Sequence, residues 1–346
     1  MKAIHINQPG EAEIFETEQP VRKEGEALLK LLYGGICGSD LGTYRGTFAY
    51  ASYPRIPGHE FSAQIVEIDS ADAEKYNLHV GQIITCNPYF NCGSCYSCKR
   101  GFVNCCEQNE TMGAQRDGAF MEYITMPVER IYDGKGLSPL ELALIEPFCI
   151  SYHGVSHADV KPGEKVLVIG AGTIGVLAAA AAKAADAEVY ISDIAPKKLD
   201  HAVEIMGLAG RILNDSSEHF TEQVQEVTNG NGFDVTIEAV GLPATFLACV
   251  DAAAFGGRVV QVGVGKRNAD FNFTLLQKKE LKLYGSRNAL KKDFLSLIDL
   301  VKSGRIDITK IVTNKYELAD GAQAFKDFSE HADKMLKVVI HFADPE

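Results

Sequence analysis

Five of the chain's nine cysteines fall within sixteen residues, NCGSCYSCKRGFVNCC at 91–106. Cys92, Cys95 and Cys98 form C-x2-C-x2-C, and either Cys105 or Cys106 supplies a fourth sulfur. Four thiolates close a tetrahedral zinc shell completely and leave no position for a substrate. The cluster therefore predicts a structural zinc that shapes a loop. Catalysis on a metal needs fewer protein ligands and an open position, which turns attention to isolated donors. Three settings stand out: Cys37 in GGICGSD, His59 with Glu60 in PGHEF, and Glu146 in LIEPF.

A second kind of chemistry is written in GAGTIG at 170–175, which matches G-x-G-x-x-G. It follows the apolar run KVLVIG and precedes the helical VLAAAAAKAA, the context a dinucleotide requires. Gly170 permits the turn, Gly172 lets backbone approach a pyrophosphate, and Gly175 lets the helix pack on the sheet. Thr173 and Ile174 open that helix beneath the phosphates. Asp193 closes the next strand, EVYISD, where a carboxylate accepts hydrogen bonds from ribose hydroxyls and repels a 2′-phosphate. The cofactor predicted is NAD rather than NADP.

These residues need elements to hold them. From about Lys165 onward strands alternate with helices: EVYISD, PKKLDHAVEIMG, RILN, SSEHFTEQVQEVTNG, FDVTIEAV, PATFLACVDAA, GRVVQVG and LKLYGS. Such alternation predicts a doubly wound parallel sheet in an α/β fold. The first 150 residues are rich in Gly and Pro, with short alternating strands such as EALLKLLYGGI, and predict antiparallel β structure. The opening MKAIHINQPGEAEIF reads as a strand and not as a signal peptide, so the address expected is cytoplasmic. In that reducing compartment clustered cysteines serve metals more often than disulfides. A formal charge of −12 argues against nucleic acid as a partner, and the longest uncharged run, Val166 to Ala182, is too glycine-broken for a membrane span.

Taken in order, GGICGSD, PGHEF, the four-cysteine loop, IEP and GAGTIG resemble the zinc-dependent medium-chain dehydrogenases, over nearly the whole chain. The resemblance implies a GroES-like β-barrel catalytic domain, residues 1–152 and 286–346, around a Rossmann domain, residues 153–285. It also implies two zinc ions per chain, one catalytic and one structural, with Cys106 as the fourth structural ligand. Glu146 stands where liver-type alcohol dehydrogenases carry cysteine, which is similar to the polyol and sugar-acid branch. In that branch Cys37 and His59 are ligands of the catalytic zinc, Glu146 is the third, directly or through water, and Glu60 enters the metal shell during turnover.

The same resemblance assigns the remaining roles. Zinc acts as a Lewis acid on an alcohol, Ser39 takes the alcohol proton, and hydride passes to NAD. Gly42 occupies the position where many relatives end the proton relay with histidine, so water or Glu146 is left to finish it. Tyr44, Arg287 and Asn288 line the substrate pocket. The expected substrate is a hexonate such as L-gulonate or L-galactonate, with sorbitol-like polyols or threonine as the alternative. The expected assembly is a homodimer or homotetramer, with a strand near GRVVQVG extending the sheet across the interface.

Overall fold

The computed structural model describes residues 1–346, which form two units, Met1–Glu146 with Leu290–Glu346, and Pro147–Ala289. One boundary falls in the first turn of the helix Ile145–Ala158, and the other just before the helix Lys291–Lys302.

In the first unit a seven-stranded sheet is built around the long strand Glu26–Ile36. That strand pairs antiparallel with Glu60–Glu67, Lys337–His341 and Tyr123–Pro127. Its apolar residues face two cores. Leu29 and Leu31 pack with Phe61, Ile65 and Ile84, while Ile36 packs with Ile4, Phe120, Phe325 and Val338. The strand Ile83–Cys86 and its partner Ile131–Asp133 extend the sheet beyond Glu60–Glu67. The opening stretch is two strands rather than one: Lys2–Gln8 and Glu11–Glu16 form a hairpin, because Pro9-Gly10 breaks the run and Gly10 takes a φ of +81°.

The second unit is a six-stranded parallel sheet, formed by β1 (Lys165–Ile169), β2 (Glu188–Asp193), β3 (Gly210–Leu213), β4 (Phe233–Glu238), β5 (Ala253–Gln261) and β6 (Lys282–Gly285). The spatial order is β3-β2-β1-β4-β5-β6. The order reverses between β1 and β4, which is where a doubly wound sheet opens a crevice beyond its carboxyl ends. β1 is buried along almost its whole length, as its unbroken apolar run requires. The helix Thr173–Ala184 is buried at every position from Gly175 to Ala182; its alanines permit close approach to the sheet. The first five residues of GRVVQVG close β5, which β4 and β6 flank, so the edge on this side of the sheet belongs to β6. No helix is long and apolar enough to cross a membrane.

Candidate active site

Antiparallel pairing places the end of one strand beside the start of its neighbour. Here Gly35 pairs with Glu60, so Cys37, just past the end of Glu26–Ile36, meets His59 and Glu60 at the start of Glu60–Glu67. Ligand atoms of Cys37, His59 and Glu60 all lie within 4.8 Å of one another. The close approach needs glycine at 35, since a Cβ there runs into the Glu60 carboxylate.

Asp40 ties the two segments together. It is fully buried and accepts hydrogen bonds from Cys37 N at 3.0 Å and Gly58 N at 3.1 Å. Burial raises its pKa, and the nearby His59 only partly offsets this. The Nδ1 of His59 stands 3.7 Å from Asp40 Oδ1 and is buried without a hydrogen-bond partner. Burial alone lowers the imidazole pKa, but Asp40 and Cys37 outweigh it and hold the value well above the usual range.

Glu146 is buried close by, but its oxygens are outside the cluster that Cys37, His59 and Glu60 form. It accepts a hydrogen bond from the Tyr89 hydroxyl, and burial pushes its carboxyl up to about 7. Glu60 Oε2 receives Lys337 Nζ at 2.6 Å, and Lys337 also donates to Ile36 O at 3.2 Å. Neither Tyr89 nor Lys337 was flagged by sequence reasoning. Lys337 carried a signal, a lysine amid the apolar residues of KMLKVVI; Tyr89 carried none beyond its place ahead of the cysteine loop.

A thiol, an imidazole with an orphaned nitrogen, and two carboxylates form a donor set that suits a zinc ion with an open position. The second cluster is equally plain. The sulfurs of Cys92, Cys95, Cys98 and Cys106 lie within 4.8 Å of one another, while Cys105 is exposed outside them. Backbone N–H groups point at the sulfurs, Cys92 N and Gln108 N to Cys106 Sγ and Cys95 N to Cys92 Sγ, each at 3.3 Å. Hydrogen bonds from Ser94 and Cys95 bring Cys92 down to about 6, the direction that favours a thiolate ligand.

Ser39 is half-buried in the helix Gly38–Tyr44. Tyr44 packs at the edge of the core of the first unit, 8% exposed with its ring 5.8 Å from that of Phe325. The helix turns it inward, where Leu41 and Ile36 also pack. Arg287 and Asn288 follow β6 in the second unit; Arg287 is exposed and Asn288 has a φ of +48°.

In the second unit the glycine motif forms the predicted turn. Gly170 has a φ of +113°, and a Cβ on it meets Val240 at 2.8 Å; a Cβ on Gly175 collides with Gly170 O. Nothing stands within 4 Å of a Cβ at Gly172, so the cradle ahead of Thr173 and Ile174 has room for a pyrophosphate. Asp193 is held by Ala171 N at 2.8 Å and Ala195 N at 3.0 Å, which fixes its carboxylate at the end of β2.

Residues 23–135 match the model of the alcohol dehydrogenase GroES-like domain, and residues 173–303 that of the zinc-binding dehydrogenases. The chain is 36% identical over 342 residues to L-galactonate-5-dehydrogenase of Escherichia coli K12, covering 99% of each. It is 30% identical to sorbitol dehydrogenase of Bacillus subtilis 168, covering 99% of this chain and 97% of that one. A crystal structure of an alcohol dehydrogenase from Escherichia coli CFT073, complexed with NADH, superposes with a TM-score of 0.90 at 29% identity, covering 99% of each chain. With matching models in both of its units and relatives aligned from end to end, the chain belongs to the zinc-binding medium-chain dehydrogenases.

Proposed function

We propose that the protein oxidises a secondary alcohol of a hexonate to the keto acid, with NAD as hydride acceptor. The observation that carries this reading is the end-to-end similarity to an L-galactonate dehydrogenase, on a chain whose Cys37, His59 and Glu60 converge. Cys37 and His59, with a carboxylate from Glu60 or Glu146, hold the catalytic zinc, and Cys92, Cys95, Cys98 and Cys106 hold the structural one. Bound zinc supplies a Lewis acid for the substrate hydroxyl, and bound NAD takes up hydride.

The chain's own groups do the rest. Asp40 fixes the backbone at Cys37 and Gly58, so that both donors keep their places. Ser39 Oγ takes the hydroxyl proton. Gly42 has no side chain to pass it on, and Glu146, a buried carboxyl close by, is the group placed to receive it, directly or through water. Gly172 and the helix behind it seat the pyrophosphate, and Asp193 binds the adenosine ribose. Arg287 offers a guanidinium for the hexonate carboxylate, with Asn288 beside it for hydroxyls.

The test is NADH formation by the zinc-loaded protein with L-galactonate, L-gulonate, other hexonates, sorbitol, galactitol and threonine. Preference for a hexonate over its matching polyol, weakened in Arg287→Ala, is expected. A preference for the uncharged polyol overturns the sugar-acid assignment and leaves a sorbitol-type enzyme.

A further inference from the structure

Two buried carboxylates stand near Cys37 and His59, and each is gripped by one buried donor from a distant part of the same unit. Lys337 Nζ holds Glu60 Oε2 at 2.6 Å, with side chains 2% and 1% exposed. Lys337 is the only lysine or arginine in the chain that is buried. Strand register puts it there: Val338 pairs with Ile36, so its neighbour Lys337 reaches both Ile36 O and the carboxylate across Gly35. The hydroxyl of Tyr89, a residue 6% exposed, holds Glu146. A buried ammonium is costly unless its partner is fixed, and a fixed partner is a carboxylate with one oxygen already taken.

The two acids are not equivalent. Glu60 contributes a ligand atom to the cluster with Cys37 and His59, and Glu146 does not. We infer that Lys337 and Tyr89 are positioning residues that decide which acid completes the metal shell. Lys337 holds Glu60 so that a single oxygen is left for the metal, and Tyr89 restrains Glu146 as the second acid. This rests on the reading of Cys37 and His59 as metal ligands.

Cobalt(II) in place of zinc reports the site through its visible d–d bands and through affinity measured by chelator competition. Glu60→Gln is expected to weaken cobalt binding roughly tenfold or more and to alter the bands, whereas Glu146→Gln changes affinity less than about threefold. Adding Tyr89→Phe to Glu60→Gln frees Glu146 and restores at least half of the lost affinity on a logarithmic scale. Lys337→Met frees the second oxygen of Glu60 and weakens the bands, as a fifth ligand does. If Lys337→Met does not fold, the Tyr89→Phe and Glu60→Gln pair decides alone.

The inference is overturned if Glu146→Gln disturbs the bands while Glu60→Gln leaves them intact, or if Tyr89→Phe restores nothing. Cys37→Ser separates the two readings. If it keeps the same cobalt site, the metal is not there at all, and the underlying assignment fails before the choice of acid arises.

Discussion

Asp40→Ala is the perturbation that tests how this metal site is built. Asp40 touches neither metal nor substrate in the scheme above; it satisfies two buried backbone donors, Cys37 N and Gly58 N, that strand pairing leaves without partners. A buried donor left unsatisfied costs about 1–3 kcal/mol, so Asp40→Ala is expected to destabilise the first unit by about 4 kcal/mol. Asp40→Asn keeps the shape but has one acceptor oxygen and turns an N–H2 toward the other donor. It is expected to lose about half as much, roughly 2 kcal/mol. For a unit of about 200 residues, 1 kcal/mol moves Tm by about 2–4 °C, so the shifts are about 8–16 °C for Ala and 4–8 °C for Asn. Calorimetry on chelator-treated protein measures this without adding the effect of metal loss. A loss below about 1 kcal/mol in Asp40→Ala would refute the reasoning. Equal losses in the two variants would show that charge, and not the count of acceptors, is what the site needs.

Cys106→Ser is expected to remove one bound zinc per chain and lower Tm, with NADH binding retained; the exposed Cys105→Ser changes neither, as metal analysis and calorimetry will show. Asp193→Ala combined with Ile194→Arg is expected to erode the preference for NAD, read as the ratio of kcat/KM for the two cofactors. NAD affinity falls as well, because the hydrogen bonds from Ala171 N and Ala195 N go with the carboxylate. In the metal-free protein Glu146 is raised by burial from 4.5 to about 7, so its contribution is fully present below about pH 4.5 and is lost as pH rises through 7. Glu146→Gln is therefore expected to gain on the parent by up to roughly 3 kcal/mol between pH 4.5 and 8, followed by urea unfolding at each pH.

The alternation of strand and helix after Lys165 was readable because the central strands are buried on both faces and some helices carry their own stop, such as Asn229 in the left-handed conformation after Thr228. The four-cysteine cluster was readable because its ligands are neighbours in sequence. The fourth sulfur was not readable from spacing, since Cys105 and Cys106 differ only in which way the chain turns after the short helix Val103–Cys105. The packing of Tyr44 was not readable for a related reason: its ring partner, Phe325, lies 281 positions away and belongs to the helix Gly321–Glu330. Lys337 and Glu60 are 277 apart, and only the register of three strands brings them together. Local patterns announced the donors, while the groups that hold them come from strand pairings the sequence does not spell out. The edge of the parallel sheet is expected near GRVVQVG although LKLYGS also reads as a strand, because the order of strands across a sheet is not spelled out locally; β6, four residues long and largely exposed, takes the edge beside β5.

The charges around Cys37 explain why those hidden partners matter. Asp40, Glu60 and Glu146 are buried together beside a cysteine that must be a thiolate to ligate, and the one buried cation facing them is Lys337. Four anions against one ammonium leave a formal charge of −3 with His59 neutral, and a divalent ion brings it to −1. One further proton on the group brings it to zero. The site is thus electrically balanced when it holds a divalent metal and one proton. Without the metal the same acids repel one another in a low dielectric, so metal removal weakens the first unit even where no ligand is mutated.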